Sequence, residues 1–435
     1  MEPTTAALVL IVVLLACLAS GLWIGLALGL VSYISFVMMT NASPSLSFGT
    51  TVWGSMNSWT LTALPMFIWM GEILFRSSLS DDMFKGLAPW MQRLPGRLLH
   101  TNVFGCGIFA AISGSSAATA ATIGKMTVPE LRKRGYDDFM NIGSLAGSGT
   151  LGLLIPPSII LIVYGVAAEV SIARLFIAGV VPGIVLMLIF SGVLMSWALM
   201  NPDKIPPADA PMSFAEKLSE SRRLIPIVAL IVIVLGSIYT GYATPTESAV
   251  LGVVGALLLT LATRTFSWKM FSDSIMGAVR TNAMIGLILA GASFLTTAMG
   301  FTGLPRMFAE WVNSLGLSQI ALIAALTVVY IILGCLIDGI SMVVLTAAVV
   351  MPAVKGAGID LVWFGIFVVL VVEMAQITPP VGFNLFVLQG LTGRSLGYIA
   401  LAALPFFLAM IAMIAIIVIF PDLATWLPNQ MLGQK

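Results

Sequence analysis

Long apolar runs recur along the whole chain and are separated by short polar stretches. Between Glu2 and Glu72 there is no Asp, Glu, Lys or Arg, and further long uncharged runs continue to the end of the sequence. An α-helix rises about 1.5 Å per residue and the hydrocarbon layer is about 30 Å thick, so a run of about 20 residues can cross it once. The pattern predicts an all-α polytopic membrane protein.

The chain reads as two copies of one unit that follow each other in tandem. Landmark residues of the two copies fall in register at a single constant offset, within segments of matching hydropathy. Such internal repeats are common in secondary transporters. The matched landmarks are Pro129 with Pro352, Asp137 with Asp360, Pro156-Pro157 with Pro379-Pro380, and Pro182 with Pro405.

Each predicted copy has the same order of segments. Three apolar segments come first, then a short amphipathic stretch, a hairpin of two short helices, a broken helix and a final apolar helix. We expect residues 1–199 to form the first copy and 224–435 the second. In that order the segments are 5–20, 22–40, 56–75, 80–96, 98–126, 139–168 and 172–198, and then 224–242, 246–263, 281–300, 304–316, 319–351, 361–393 and 396–420.

The distribution of basic residues predicts the topology, because Lys and Arg accumulate in cytoplasmic loops. Basic residues flank the run 98–126 on both sides, so we expect a re-entrant hairpin that does not cross. Each copy then crosses five times, giving about ten spanning helices, two re-entrant hairpins and two broken helices. Because five is odd, the second copy should be inverted. With both termini periplasmic, sixteen of the twenty Lys and Arg residues fall inside, the exceptions being Arg174, Arg306, Lys355 and Lys435.

The segment 200–223 is predicted to be a cytoplasmic linker between the copies. It is rich in proline and ends in a short basic helix, for which Ser213 and Glu216 form a capping box. The expected role is that of a structural connector, and a regulatory or partner-binding role is an alternative.

Breaks in the helices at mid-membrane are the strongest functional signal. Unpaired backbone groups survive in hydrocarbon only where protein, water or a ligand satisfies them. Half-helix ends and unwound carbonyls suit Na⁺, whereas half-helix N-termini attract an anion. We therefore predict two symmetry-related Na⁺ sites around an anionic substrate, although runs of small residues can also serve helix packing alone. The Na⁺ candidates are Ser113, Ser115, Ser116, Gly147, Gly149, Thr150, Pro156, Asp338, Gly339, Ser341, Thr378, Pro379 and Gly382.

In each copy the hairpin tip is expected to meet a break in the following helix. The tip 113–116 should meet a break at 147–150, and the tip 338–341 should meet a break at 378–382. The carboxylates of Asp338 and Glu373 fall where the first copy has Ser115 and Thr150, and an intramembrane carboxylate is a functional candidate by default. Residues expected to contact substrate are Ser116, Thr150, Ser341, Glu373 and Asn384.

Other charged and reactive residues carry weaker signals. Glu247 in Thr244-Pro245-Thr246-Glu247 is typical of a capping box at a helix start. Arg280 is interpreted as a topology determinant at the cytoplasmic start of a helix, with contact to an anion as the alternative. The cysteines Cys17, Cys106 and Cys335 are too far apart for a metal site or a disulfide framework and are interpreted as packing residues, and the lone His100 lacks a companion ligand.

Composition argues against an enzyme. Only 9% of the residues are charged and 59% are hydrophobic, with a formal net charge of +1 and a single His. An active site would need a nucleophile, an acid and base pair or a metal cluster. No Walker-type phosphate-binding motif occurs, so the chain is not expected to hydrolyse ATP, and ion gradients are the expected driving force. The net charge gives no reason to expect nucleic acid as a partner.

Several motifs together resemble the large membrane subunit, of DctM type, of the tripartite ATP-independent periplasmic (TRAP) transporters. The resemblance spans nearly the whole chain. It rests on Ser113-Gly114-Ser115-Ser116-Ala117, Gly147-Ser148-Gly149-Thr150-Leu151-Gly152, Ile155-Pro156-Pro157-Ser158, Thr244-Pro245-Thr246-Glu247, the Asp338 region and Thr378-Pro379-Pro380-Val381-Gly382.

The resemblance implies Na⁺-coupled import of an organic acid, commonly a C4-dicarboxylate or a sialic acid, across a bacterial inner membrane. It implies two partners, a small membrane subunit of about four helices on a separate polypeptide and a periplasmic substrate-binding protein. It also implies an elevator mechanism, in which hairpins and broken helices move against a scaffold from 1–75 and 224–300. The alternatives are a stand-alone Na⁺-coupled dicarboxylate transporter or ion antiporter of the same superfamily, a passive channel, and a membrane enzyme.

Overall fold

A computed structural model describes residues 3–40, 43–77, 79–209, 212–334, 337–379 and 382–433. Within these ranges all regular secondary structure is helical and no strand occurs. The all-α prediction is therefore confirmed.

The helices of the first predicted copy follow the expected order of segments. Short apolar helices come first, and the last helix of the copy is the longest. The helices are α1 (Pro3–Ala19), α2 (Ile24–Met39), α3 (Pro44–Met56), α4 (Ala63–Phe75), α5 (Leu79–Met91), α6 (His100–Ser113), α7 (Ser116–Lys133), α8 (Asp138–Gly149), α9 (Leu151–Leu154), α10 (Ile159–Ala168) and α11 (Ile172–Met200).

The linker contributes one short helix, and the second predicted copy then repeats the order. A further short helix follows its last long one. These helices are α12 (Phe214–Ser221), α13 (Ile225–Tyr239), α14 (Pro245–Ala262), α15 (Trp268–Thr302), α16 (Leu304–Ser314), α17 (Gln319–Gly334), α18 (Gly339–Gly356), α19 (Leu361–Gln376), α20 (Phe383–Thr392), α21 (Leu396–Ile419) and α22 (Asp422–Leu432).

Helix boundaries repeat at the same offset that the prolines indicated. Both α7 and α18 contain 18 residues and start and end at equivalent positions. The carboxylates of Asp137 and Asp360 cap α8 and α19, accepting hydrogen bonds from the Met140 N–H (2.9 Å) and the Trp363 N–H (2.8 Å). The inverted orientation of the two copies stays a prediction.

The two copies differ most in the segment before the amphipathic helix. In the first copy α3 and α4 are joined by a short 3-10 turn and bend by 62°. At the equivalent position the second copy has one continuous helix, α15, of 35 residues. The sequence pattern did not predict α3, because the Asn, Ser and Pro residues around it resemble a loop.

Arg280 does not mark the start of a helix, so its predicted position was wrong. It lies in the interior of α15, which begins at Trp268 and is capped by Ser267, whose hydroxyl accepts a hydrogen bond from the Met270 N–H (3.1 Å). Lys269 and Asp273 belong to the same helix. Charges at these positions resemble flanking residues because they interrupt the apolar pattern.

Six helices among the described residues are long and apolar enough to cross a membrane, and the number rises to eight if each bent pair forms one span. Five shorter apolar helices of 10 to 17 residues accompany them. The predicted total of about ten crossings therefore depends on how the short helices lie in the bilayer, and it stays a prediction.

Helices of the two copies pack against each other in two groups. In one group α8 contacts α21, α7 contacts α20, and α10 contacts α18. In the other α2 contacts α15 and α4 contacts α14. Glycines allow the close approaches: a Cβ added at Gly143 would lie 2.2 Å from the Ala402 carbonyl oxygen, and one at Gly25 would lie 2.6 Å from the Leu287 carbonyl oxygen.

The linker is tied to the first copy by polar contacts. Asp209 accepts hydrogen bonds from the Gln92 side chain (2.8 Å) and from Arg134. Partial burial lowers the pKa of Arg134, but the carboxylates of Glu130 and Asp209 outweigh it and raise the pKa above its ordinary value. The predicted capping box of Ser213 and Glu216 at the start of α12 is confirmed.

Candidate ion and substrate sites

The tip of the first hairpin is a tight turn between α6 and α7. Gly114 has φ +59°, a left-handed conformation that strains residues with a side chain. The Ser113 and Thr119 hydroxyls lie 2.6 Å apart, and the Ser115 hydroxyl caps α7 by accepting from the Ala118 N–H at 3.4 Å. The tip is therefore held by serine and threonine hydroxyls.

This tip lies against the broken helix of its own copy. A Cβ at Gly152 would be 2.6 Å from the Ser115 carbonyl oxygen, and one at Gly149 would be 2.9 Å from the Cβ of Ala120. The Gly114 carbonyl accepts a hydrogen bond from the Ile159 N–H (3.3 Å). The hairpin backbone thus contacts both halves of the broken helix, as the sequence led us to expect.

The position predicted for the break in the first copy was wrong. Thr150 has helical angles (φ −63°, ψ −20°), and its hydroxyl donates to the Gly147 carbonyl at 2.5 Å, so the chain continues almost straight into α9. The bend of 43° lies between Leu154 and Ile159, at the double proline. Ile155, which precedes Pro156, is extended with ψ 124°, the conformation expected of a residue before proline.

The break in the second copy lies where it was predicted. Helix α19 ends at Gln376 and α20 starts at Phe383, and Pro380 and Val381 between them lie outside the described residues. The Thr378 hydroxyl donates to the Met374 carbonyl (2.8 Å), and the Thr378 carbonyl accepts from the Gly382 N–H (3.1 Å). Pro379 belongs to the same segment.

The tip of the second hairpin is organised by Asp338. Its Oδ2 accepts hydrogen bonds from the N–H groups of Ile340 and Ser341 at 3.1 Å, and its Oδ1 accepts from the Ser341 hydroxyl. A Cβ at Gly339 would lie 2.4 Å from Val372 and 2.8 Å from the Gln376 side chain. Asp338 therefore caps α18, and the tip packs against the end of α19 just before its break.

One hydrogen bond joins the first hairpin to the second copy. The Ser116 hydroxyl donates to Oε1 of Glu373 in α19. Glu373 is only 1% exposed, and its Oε2 is buried without a hydrogen-bond partner. This contact joins two residues that the sequence had placed in different copies.

Two other predicted substrate residues have different surroundings. Thr150 is fully buried, and its hydroxyl lies 3.8 Å from the Met410 sulfur, so it does not line an open space. Asn384 at the start of α20 is also fully buried, yet neither its Oδ1 nor its Nδ2 has a hydrogen-bond partner. Such unpaired buried amides are costly and are compatible with a ligand or water that satisfies them.

A cavity of about 910 Å³ adjoins the tip of the second hairpin. It is lined by the turn between α1 and α2, by one face of α15 and by Asp338, and Arg280 projects into the same space. Both oxygens of Asp338 are engaged in capping, and Arg280 forms no ion pair among the described residues. The cavity therefore presents an uncompensated guanidinium group next to a hairpin tip.

The structure gathers the predicted residues around each hairpin and adds others that sequence reasoning missed. Thr119, Gly152 and Gln376 contact the tips directly. Thr119 could have been found from its helical spacing to Ser115, and Gly152 from the glycine run that contains it. Gln376 carries no such signal, because its role depends on how the second hairpin packs.

His100 and the described cysteines have structural surroundings. The imidazole of His100 lies 2.7 Å from the Pro95 carbonyl oxygen and 2.9 Å from the Ser191 hydroxyl. Cys106 is buried and Cys17 is partly buried, both as free thiols, while Cys335 lies outside the described residues. In the described ranges no three His, Cys, Asp or Glu residues cluster as metal ligands.

Comparison with protein families gives one match that covers most of the chain. Residues 11–423 match the model of the tripartite ATP-independent periplasmic transporter, DctM component.

Similar proteins from several bacteria include named permeases. A C4-dicarboxylate TRAP transporter large permease protein of Pseudomonas aeruginosa is 33% identical over 85% of this chain and 86% of its own length. Its Vibrio cholerae counterpart is 30% identical over 99% of both chains. A sialic acid TRAP transporter large permease protein of Vibrio cholerae is 26% identical over 96% of this chain and 97% of its own length.

Among solved structures the chain is similar to the YdaH transporter of Alcanivorax borkumensis. The TM-score is 0.64, the identity is 13%, and the match covers 95% of this chain and 98% of that one. At this identity the likeness concerns the fold alone.

Proposed function

The chain belongs to the DctM family of tripartite ATP-independent periplasmic transporters, and on that basis we propose that it imports a small organic acid together with Na⁺. Its relatives are transporter permeases rather than enzymes. The family and the apolar helices imply a multi-pass protein of the bacterial inner membrane. The substrate class that we propose is a C4-dicarboxylate or a sialic acid.

The equivalent construction of the two hairpin tips carries the proposal of Na⁺ coupling. In each copy a polar side chain caps the second hairpin helix, and the tip lies against a helix that bends or stops close by. Serine and threonine hydroxyls, carbonyl oxygens freed at a break and a carboxylate are the oxygen ligands that suit hard monovalent cations. We place one Na⁺ at each tip, with the candidate residues named from the sequence.

The cavity beside Asp338 supports an anionic substrate. Arg280 projects into it without an ion pair among the described residues, and an intramembrane cation is a functional candidate by default. The planar guanidinium group matches a carboxylate with two parallel hydrogen bonds. Arg280 therefore provides a direct attachment point for an organic acid next to the second Na⁺ site.

The two packing groups support an elevator movement. Helices α7, α8, α10, α18, α20 and α21 pack on each other, whereas α2 and α4 pack on α15 and α14. In our proposal the first group moves as the transport body and the second serves as its scaffold. The family name implies three components, so we also propose a small membrane subunit and a periplasmic binding protein as partners.

Reconstitution in liposomes tests the proposal. The permease is inserted with its small membrane subunit, the binding protein is added outside, and uptake of radiolabelled succinate and N-acetylneuraminate is followed. We expect uptake of one of these acids to require an inward Na⁺ gradient and the binding protein. Equal uptake of both probes without any Na⁺ gradient would overturn Na⁺ coupling and favour a passive channel.

Omitting single components separates the related alternatives. Full activity of the permease alone, still driven by Na⁺, would favour a stand-alone transporter of the same superfamily. Loss of uptake when either partner is omitted, with membrane insertion unchanged, would support the three-component system.

A further inference from the structure

Glu373 is a buried acid without a counter-charge. Its side chain is 1% exposed, Oε1 accepts from the Ser116 hydroxyl, and Oε2 has no hydrogen-bond partner. The Leu153 backbone is the other polar group close to the carboxyl. None of the ion pairs formed by the described residues includes Glu373.

The helices packed against α19 do not supply a compensating charge. The phenol groups of Tyr164 and Tyr330 bond elsewhere, to the Leu361 carbonyl (2.7 Å) and the Thr346 hydroxyl (2.8 Å). In α7 the nearest charged residue in sequence to Ser116 is Lys125, which lies over the Phe75 ring. The remaining charged residues of the packed elements stand at helix ends or beyond: Asp338, Lys355 and Asp360 near α18 and α19, Glu169 and Arg174 between α10 and α11, Arg394 before α21, and Asp422 in α22.

An unpaired carboxylate in such a place would cost several kcal/mol, so the charge must be neutralised by a bound cation or a proton. A metal ion such as Na⁺ needs a shell of oxygen ligands. Around Glu373 the described residues offer its own two oxygens, the Ser116 hydroxyl and the Leu153 backbone. The chemistry of the site therefore favours the proton.

We propose that Glu373 is a proton-binding site of this permease and that Na⁺ binding at the first hairpin tip releases its proton. The proton resides on Oε2, while the Ser116 hydroxyl donates to Oε1. Release breaks the Oε2–H bond and transfers the proton to water. The link to Na⁺ rests on the proposed function, and the proton site itself does not.

The physical reason for the link is the position of Ser116. It is the first residue of α7, next to Ser115 and close to Ser113, which are candidate ligands of the first Na⁺. A positive charge placed at that tip favours the ionised form of a nearby carboxyl. Sodium entry would thereby lower the proton occupancy of Glu373, which lies in the other copy.

Infrared spectroscopy of the purified permease in Na⁺-free buffer tests the proton site directly. A protonated carboxyl has a carbonyl stretching band distinct from the carboxylate bands. We expect a band from a buried acid in the wild-type protein that is absent in Glu373→Gln. Glu310→Gln is the matched control, because Glu310 is an exposed carboxylate on α16, and it should leave the band unchanged.

The second measurement tests the link to Na⁺. NaCl is added to weakly buffered permease that contains a pH-indicator dye, with choline chloride as the control salt. We expect about one proton to be released per chain in the wild type and in Glu310→Gln, and none in Glu373→Gln. Ser115→Ala should shift the release to higher Na⁺ concentration.

Each outcome decides one part of the proposal. A buried-acid band that persists in Glu373→Gln would overturn the proton site. A band that depends on Glu373 but does not change with Na⁺, although Na⁺ still protects the protein against thermal unfolding, would overturn the link alone. If Glu373→Gln does not fold, Ser116→Ala provides the test: removal of its hydrogen bond should shift the band, and an unshifted band would contradict the assignment.

Discussion

Ser115 and Asp338 occupy equivalent positions in the two copies and do the same work, each capping the helix that follows a hairpin turn. The Ser115 hydroxyl accepts from the Ala118 N–H at 3.4 Å, and the Asp338 carboxylate accepts from the Ile340 and Ser341 N–H groups at 3.1 Å. The second tip thus carries a negative charge where the first has a neutral group. Two cation sites built on these tips should therefore differ in affinity, with the second the tighter.

Loss of the hairpin hydroxyls should weaken the response to Na⁺. Ser115→Ala and Thr378→Ala each remove one oxygen from a proposed cation site, so we expect the Na⁺ concentration for half-maximal uptake to rise about tenfold. Ser213→Ala removes an N-cap in the linker, and Thr240→Ala removes a hydroxyl that bonds to the Gly236 carbonyl at 2.6 Å. Both controls should leave the Na⁺ dependence unchanged, and an equal shift in controls and test variants would contradict the cation sites.

Arg280 should determine the affinity for the acid. Arg280→Gln removes the guanidinium from the cavity beside Asp338, and the loss of a charge-assisted contact of about 1.5–3 kcal/mol should raise the KM for the transported acid at least tenfold. Lys269→Gln removes an exposed charge near the start of the same helix and is the control. A KM that is unchanged in Arg280→Gln would exclude Arg280 from the substrate site.

Labelling from the two sides of the membrane tests the inverted orientation of the copies. Lys133 and Lys355 lie at the ends of the equivalent helices α7 and α18, and both are exposed. In a background without the three native cysteines, Lys133→Cys should react from the cytoplasmic side and Lys355→Cys from the periplasmic side. Lys204→Cys in the linker should match Lys133→Cys. Labelling of all three positions from one side would contradict the inverted repeat.

Close packing between the copies should make Gly143 intolerant of any side chain. A Cβ there would lie 2.2 Å from the Ala402 carbonyl oxygen, so Gly143→Ala should destabilise the protein by about 1–3 kcal/mol. Gly192 in α11 has no atom within 4 Å of an added Cβ, and Gly192→Ala should be neutral or slightly stabilising. The apparent Tm in detergent checks both, and equal Tm values would argue against tight packing at Gly143.

Local signals in the sequence predicted local structure well. The caps at Asp137, Asp360, Ser213 and Thr244 mark helix starts because their side chains bond to N–H groups three residues later. The second break was also placed correctly. The first was misplaced because a Gly-Ser-Gly-Thr run resembles unwound chain, whereas the Thr150 hydroxyl supports the helix and the double proline beyond it ends it.

Contacts between the copies were beyond the reach of the pattern. Glu373 was recognised as an unusual intramembrane acid, but its partner Ser116 is 257 residues away and on a different kind of element. Arg280 was misplaced because a charge inside a long helix resembles the end of that helix. In both cases tertiary packing, which a periodic pattern does not encode, decides the role of the side chain.

The bend between α3 and α4, set against the unbroken α15, has an evolutionary consequence. A half-length ancestor that paired with itself would have required one shape to serve both orientations. Here each half has specialised, so a tandem of either half with a duplicate of itself should lose one of the two forms and fail to assemble a working carrier. Fusion into a single polypeptide allowed that divergence, and it is now irreversible by simple exchange of halves.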